Sequence, residues 1–408
     1  MTTAARVGTA APPPRLSMGE FIALIAMLFA TIAFSIDAML PALPQIAAEL
    51  SPDAPNTAQL VVTSFVLGMG VGTLFAGPLS DTFGRKTVII AGALLYCAAA
   101  FVASLAPSLE GLLMARVLQG LGAAGPRVVS LALVRDLYKG REMARVMSFA
   151  MMIFTLVPAV APLAGSFIIA GFGWRSIFLA FILFSLISCL WLSVRQPETL
   201  PRAARRPLEA AALASALRDV LTNRVVVMSI AVQTLCFAVL FGTISSTQQI
   251  FGTYFGRGES FPLWFALIAM MSGSASLLNA ALVVRLGMRL LISWTLRGQL
   301  VLSVAFGLIL WTGATEGNLT FALYVVWTTS VFMLAGLTLG NLNALALEPL
   351  GHIAGMAASV TGALATVLAV GLAAPLGLAF DGTPLPLVLG VAGLVALAAL
   401  VMSALPRR

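Results

Sequence analysis

The sequence predicts an all-α integral membrane protein, with twelve transmembrane helices in two six-helix pseudo-repeats and both termini cytoplasmic. Three observations predict it. The first is composition: of 408 residues, 60% are hydrophobic and 9% charged. Soluble domains carry about 25% charged residues, so most of this surface faces lipid. The second is that the apolar residues fall into twelve runs, most of which reach the about 20 residues that a spanning helix needs. The third is that the positive charges gather on alternate connections, as cytoplasmic loops require.

Residues 1–17 are read as a cytoplasmic tail, Ala- and Pro-rich and containing Pro12-Pro13-Pro14-Arg15. The run that follows is too long for a signal-peptide core and lacks a cleavage site, so it is expected to stay as the first helix. The first six runs cover about 18–46, 57–80, 86–106, 109–138, 142–171 and 174–195, giving a six-helix bundle over 18–195. Residues 196–223 are polar, with Arg202, Arg205, Arg206, Arg218, Pro197, Pro201 and Pro207, and read as a cytoplasmic linker. Runs at about 224–254, 261–285, 289–314, 319–347, 350–380 and 383–405 form the second bundle, over 224–405, before a short tail at 406–408.

Placing the N-terminus inside puts nineteen of the 23 Lys and Arg residues on the cytoplasmic side, Arg297 among them. Only Arg175 and Arg257 fall outside, beside Asp53, Glu110, Glu259, Glu316 and Asp381, while Arg116 and Arg127 stay within the fourth run. An odd number of spans anywhere would scramble this alternation. Topology thus accounts for the net charge of +8, and no nucleic-acid partner is expected. Membrane lipid is the expected surround, and a monomer the expected state.

Cys97, Cys189 and Cys236 each lie in an apolar run and read as free thiols, with no metal-ligand spacing among them. No HExxH, GxSxG, Gly-x-x-x-x-Gly-Lys or paired Cys/His set is present, so neither an enzyme nor an ATPase is predicted, and no cofactor or metal is expected. The single histidine, His352, lies in a short connection without ligand partners. The linker is too short to hold the soluble domain of a receptor.

The halves echo each other. Gly77-Pro-Leu-Ser-Asp81-Thr-Phe-Gly84-Arg85-Lys86 follows span 2, and Val284-Arg285-Leu286-Gly287-Met288-Arg289 follows span 8. Aligning Gly84 with Gly287 gives an offset of 203 residues, almost half the chain. Six-plus-six parallel repeats are a common transporter plan, with the substrate site between the halves near midplane.

The first of those segments closely resembles the loop 2–3 signature of the major facilitator superfamily. Arg116-Val-Leu-Gln119-Gly120-Leu-Gly122 resembles its fourth-helix signature. Asp37-Ala-Met-Leu-Pro41-Ala-Leu-Pro44, Val134-Arg135-Asp136-Leu-Tyr138, Gly173-Trp174-Arg175 and Gly355-Met-Ala-Ala-Ser-Val-Thr-Gly362 are similar to the bicyclomycin/chloramphenicol-resistance (Bcr/CflA) branch of drug:proton antiporters. The resemblance spans the chain. It implies the major facilitator fold and export of small molecules across a bacterial inner membrane in exchange for protons. Two stretches depart from the pattern: Ala38-Met39 after the span-1 acid, and the glycine-poor Val157-Pro158-Ala-Val-Ala-Pro162-Leu-Ala-Gly165 in span 5. A proton-coupled or facilitative transporter of one metabolite, such as an organic anion, amino acid or sugar, is the alternative.

Asp37 is the one acid well inside a run. A carboxylate in hydrocarbon is costly and by default marks function. Burial favours the neutral acid and a neighbouring cation the carboxylate, and a group between those effects exchanges protons as its surroundings change. Asp37 is read as the proton carrier or as the acceptor for a cationic substrate; otherwise it is a hydrated structural residue near the outer end of span 1. Arg116 and Arg127 are 11 residues apart, which at about 100° per residue leaves them about 20° from one face. Gln119, Gly120 and Ala123 share that stripe, which is expected to line the cavity. The resemblance links Arg116 to proton coupling. Arg127 either favours anionic or zwitterionic substrates or pairs internally with Asp37 or another acceptor.

Span 7 carries Gln233, Phe237, Phe241 and Gln248 at near-helical spacing, and span 5 adds Met151, Met152 and Phe154. Such polar–aromatic and thioether surfaces suit a substrate pocket, though each residue can equally be packing. Asp81, Gly84, Arg85, Lys86 and Asp136 are read as a conformational latch that holds the outward-facing state. Gly84 permits the tight turn, Arg85 pairs with an acid such as Asp136, and Asp81 sits at a helix N-terminus, which by the resemblance is that of span 11.

Overall fold

The computed structural model describes residues 16–405. Both expected tails therefore lie outside the described residues, except Leu16 and Ser17, as do the side chains of Ala210, Ala212 and His352. Within hydrocarbon every backbone N–H and C=O must be paired internally, and a helix does this within one segment. The apolar runs obey: twelve helices are long and apolar enough to span a membrane, and no strand occurs among the described residues.

The first span is broken where the sequence suggested one run. Helix α1 (Met18–Asp37) gives way to a 3-10 turn at Leu40–Ala42 and then to α2 (Leu43–Leu50). Pro41 and Pro44 explain the break, because each removes a helical N–H donor. The first half continues with α3 (Leu60–Phe83), α4 (Arg85–Ser104), α5 (Leu109–Leu137), α6 (Gly140–Phe172) and α7 (Ser176–Arg195). Glu20 of α1 receives Arg195 of α7 at 2.8 and 3.0 Å, so the first and sixth spans are tied at one end. That end is called the proximal face here and its opposite the distal face.

The polar connector holds a helix of its own, α8 (Ala210–Thr222). Leu213, Ala216, Leu217 and Val220 recur at helical spacing. Val220 is buried in one cluster with Val226, Leu350, Ala357 and Val360, so α8 rides on the second half. That half is α9 (Arg224–Gln249), α10 (Phe261–Leu286), α11 (Met288–Thr312), α12 (Gly317–Leu347), α13 (Ala354–Leu378) and α14 (Leu385–Ser403).

The repeat is visible in backbone geometry. Gly84 (φ 103°, ψ 152°) joins α3 to α4, and Gly287 (φ 78°, ψ 156°) joins α10 to α11. Both angles lie where a Cβ is strained, so the same turn recurs at equivalent places. Outward-facing Val284 and Leu277 are 86% and 78% exposed, the surface that lipid would cover. Arg175 is matched locally by Glu49 at 2.5 Å, and Arg257 by Asn318 at 2.6 Å. Arg297 lies inside α11, nine residues after Met288, rather than in a loop.

The halves meet along α3 and α13, along α6 and α10, and where the Leu40–Ala42 turn meets α9. At the distal face they are hydrogen-bonded. Asn56 donates to the carbonyls of Phe380 (2.8 Å) and Leu378 (3.2 Å). Gln59 donates to Gln249, which donates to Asn56 at 2.7 Å, and Ser246 donates to Gln59 at 3.0 Å. Beside this clasp lies a cleft of about 510 Å³, bordered by Leu43, Pro44, Gln59, Gln248 and Gln249.

Candidate functional site

Arg116 is held by the backbone of two neighbouring helices. Its Nε donates to the Val61 carbonyl (3.1 Å), Nη2 to the Ser35 carbonyl (3.0 Å) and Nη1 to Gln119 Oε1 (2.7 Å). Its guanidinium lies 4.4 Å from the centre of the Phe65 ring. Ser35 Oγ donates to the Thr31 carbonyl at 2.6 Å, so the Tyr96 hydroxyl, 2.5 Å away, is the donor to Ser35. Arg116 and Gln119 are each 0% exposed, and a Cβ on Gly120 would collide with the Phe65 carbonyl. The fourth-span stripe expected to line the cavity is therefore, over 116–123, a packing seam against α1 and α3. Gln119 serves Arg116 and is enclosed, so it does not meet a substrate in this conformation.

Asp37 ends α1, 4% exposed, with no hydrogen bond or ion pair among the described residues. Helix geometry explains its separation from Arg116. At about 100° per residue, Asp37 lies about 160° from Ser35, which faces the Arg116 cluster. Phe34, about 60° away, packs on Phe181 and Phe184 of α7, with ring centres 5.3 Å apart in both pairs. Asp37 thus takes the arc left over, just before the turn that meets α9. It is largely buried at the end of α1.

Arg127 lies further along α5, partly exposed, and donates to Met69 Sδ at 3.4 Å. It makes no pair with Asp37 or any other acid among the described residues.

On α9, Phe237 and Phe241 stack with ring centres 5.6 Å apart and planes 8° apart. Gln233, 5% exposed, leaves its Oε1 without a partner among the described residues. Gln248 belongs to the distal cleft instead. On α6, Met151 is 40% exposed, whereas Phe154 packs against the first-half cluster that contains Phe29 and Val129.

The expected latch residues do come together at the proximal face. Arg85 Nε meets Asp136 at 3.2 Å, and Nη1 meets Ser80 at 2.6 Å and also Asp81. One expectation needs correction. Asp81 pairs with Arg85, four residues on, and no bond from it to α13 occurs among the described residues; Gly77, one turn earlier, is what lies beside Ser359 of α13. Lys86 donates to the Ser193 carbonyl at 2.6 Å. In this conformation the cluster joins the first half to the connector and does not lock the halves together.

Its centre is a residue that sequence reasoning passed over. Glu198 accepts from the backbone N–H groups of Arg85 (3.0 Å), Lys86 (3.1 Å), Thr199 (3.0 Å) and Leu200 (3.0 Å). An anion at a helix N-terminus satisfies orphan donors and the helix dipole, and Gly84 has no side chain to cap α4 itself. Thr199 donates to Asp136 at 2.8 Å, and the Arg206 N–H to the Asp81 carbonyl at 3.1 Å. The signal available was an acid just past the end of span 6. Also missed was the distal clasp of Asn56, Gln59 and Gln249, three amides near the ends of their apolar runs.

Comparison with known proteins agrees with this architecture. The Major Facilitator Superfamily profile matches residues 23–374. A bicyclomycin resistance protein homolog of Haemophilus influenzae is 31% identical over 268 residues, 65% of this chain and 67% of that one. The multidrug resistance protein MdtL of Salmonella paratyphi B is 30% identical over 338 residues, 80% of each chain. Among solved structures, a D-xylose-proton symporter superposes with a TM-score of 0.75 at 16% identity, covering 95% of this chain and 97% of that one; this likeness concerns the fold alone.

Proposed function

The chain belongs to the Major Facilitator Superfamily, and from that premise we propose that it exports small, drug-like or amphiphilic molecules from the cytoplasm in exchange for protons, by alternating access. It is a multi-pass membrane transporter similar to bacterial drug-resistance transporters, not an enzyme. In this reading it sits in a bacterial inner membrane with the proximal face in the cytoplasm, its halves rocking about a central site.

The observation that carries the reading is Asp37, a carboxyl buried within the first span beside the junction of the halves, with no hydrogen-bond or ion-pair partner among the described residues. An intramembrane acid in such a place serves a proton or a cargo. A proton arriving from outside neutralises Asp37 and displaces the cargo outward; release of that proton inside resets the cycle. Arg116 contributes by holding α1, α3 and α5 in register around it. The names of the relatives support drugs as cargo.

Growth rescue of an efflux-deficient host by a compound panel identifies a transported compound. The purified protein is then reconstituted in liposomes containing a pH-sensitive dye. Transport of that compound should move protons oppositely, and Asp37→Asn should abolish both fluxes. Transport indifferent to the proton gradient, with Asp37→Asn fully active, would overturn the reading.

A further inference from the structure

Arg127 is a charge that the proposed cycle does not use. It lies ten residues before the end of α5 at Leu137, about 15 Å along the axis at about 1.5 Å per residue. A guanidinium offers five N–H donors, and a thioether is a weak acceptor. The Met69 sulfur is the one hydrogen-bond acceptor that Arg127 has among the described residues. Arg116, on the same stripe, shows the satisfied alternative: two carbonyls, one amide oxygen and an aromatic face. Pairing with Asp37 is not available, because Asp37 adjoins Ser35 at the level of Arg116.

A cation in mid-span is not left against lipid. Arg127 is partly exposed, and in the export reading its open donors face the space between the halves. Met69, its hydrogen-bond partner, offers a thioether. Val128 and Leu131 follow Arg127 on α5 and, with Met147 and Phe154 of α6, are partly buried against one first-half cluster; methionine adapts to varied apolar shapes.

We propose that Arg127 is the counter-ion for an anionic group on the cargo, and that amphiphilic carboxylates are a substrate class of this transporter. The planar guanidinium fork matches a carboxylate with two parallel hydrogen bonds. The apolar body of the cargo then rests on the methionine–phenylalanine surface. This inference rests on the export reading above and adds the charge of what is exported.

The test uses everted membrane vesicles energised with a proton gradient. The probes are fusidate and nalidixate (carboxylates), chloramphenicol (neutral) and ethidium (cationic). The wild type should accumulate the carboxylates. Arg127→Gln should raise their KM about tenfold or more beyond any rise for chloramphenicol, as loss of a charged hydrogen bond predicts, and Arg127→Lys should recover part of it. If the Gln variant does not fold, the Lys variant decides, since it keeps the charge but loses the fork and should weaken the carboxylates selectively. Proportionate loss for all probes would make Arg127 structural and overturn the inference. Accumulation of chloramphenicol or ethidium without either carboxylate would overturn it while leaving export intact. Accumulation of none of the four would sink the export reading, and the inference with it.

Discussion

At the distal face, Asn56, Gln59, Ser246 and Gln249 join the two halves through uncharged amides, one hydroxyl and two carbonyls. At the proximal face, Arg85, Asp81, Asp136 and Glu198 form a charged cluster that stays within the first half and the connector. The contrast separates strength from function. Charge-assisted hydrogen bonds are roughly twice as strong as neutral ones, yet here the weaker set holds the halves and the stronger set orders a loop. In the proposed cycle, a contact that must break at every turn gains from being weak. A hinge base gains from being permanent.

That contrast can be broken most directly by cross-linking. In a background with Cys97, Cys189 and Cys236 replaced by Ser, a Gln59→Cys/Gln249→Cys pair bridged by a short bis-thiosulfonate should stop transport, and a reductant should restore it. A bridge within the proximal cluster, between Asp136→Cys and Thr199→Cys, should slow transport far less. Equal inhibition by both bridges would mean that the proximal cluster also opens during the cycle.

Next in size is Glu198→Ala. Four backbone donors lose their acceptor, and thermal unfolding in detergent should show a loss of about 2–3 kcal/mol, the scale of hydrogen bonds to a charged group. Glu198→Gln should recover part, because one amide oxygen remains. Substituting the two repeat-related glycines comes next. Gly84→Ala meets strained φ and the Glu198 and Arg205 side chains, whereas Gly287→Ala has nothing within 4 Å of its new Cβ. Strain alone costs about 1–3 kcal/mol, so both should lower the melting temperature, Gly84→Ala more. If Gly287→Ala is the worse, the turns are not equivalent.

The smallest effect sharpens the ionic side of the comparison. The Asp136 side chain is 24% exposed, and pairs of this kind contribute about 0–1 kcal/mol. Raising salt from about 0.1 to about 1 M shortens the screening length from about 10 to about 3 Å. The melting temperature should fall slightly, and Asp136→Asn should remove that dependence. A fall that persists in Asp136→Asn would place the salt-sensitive pair elsewhere.

The twelve spans were legible in the sequence because hydrocarbon demands long apolar helices, and the Gly84–Gly287 echo was legible because only glycine suits that turn. Arg85 with Asp136 was legible as one cation among proximal acids. The surroundings of Arg116 were not. Its partners include backbone carbonyls, which every residue carries, so no residue type advertised them. Helical spacing placed Arg116 and Arg127 on one face but could not say that Gly120 presses that face onto Phe65. Glu198 lies 113 residues from Arg85 in sequence, and Asn56 lies 324 from Phe380. Contacts so distant follow from how the helices are arranged, which hydropathy does not contain. Pro41 and Pro44 were visible, but the helix break beside them was hidden by the apolar residues around them.

The bond from the Arg206 N–H to the Asp81 carbonyl also sets a length. Between that anchor and α8 on the second half lie only Pro207, Leu208 and Glu209. Four residue steps of extended chain reach about 14 Å at most. In the proposed cycle the connector is therefore a short strap between two moving bodies, and at that corner they cannot part by more than its length. Any swing wide enough to admit cargo from the proximal side must pivot near the strap and open away from it.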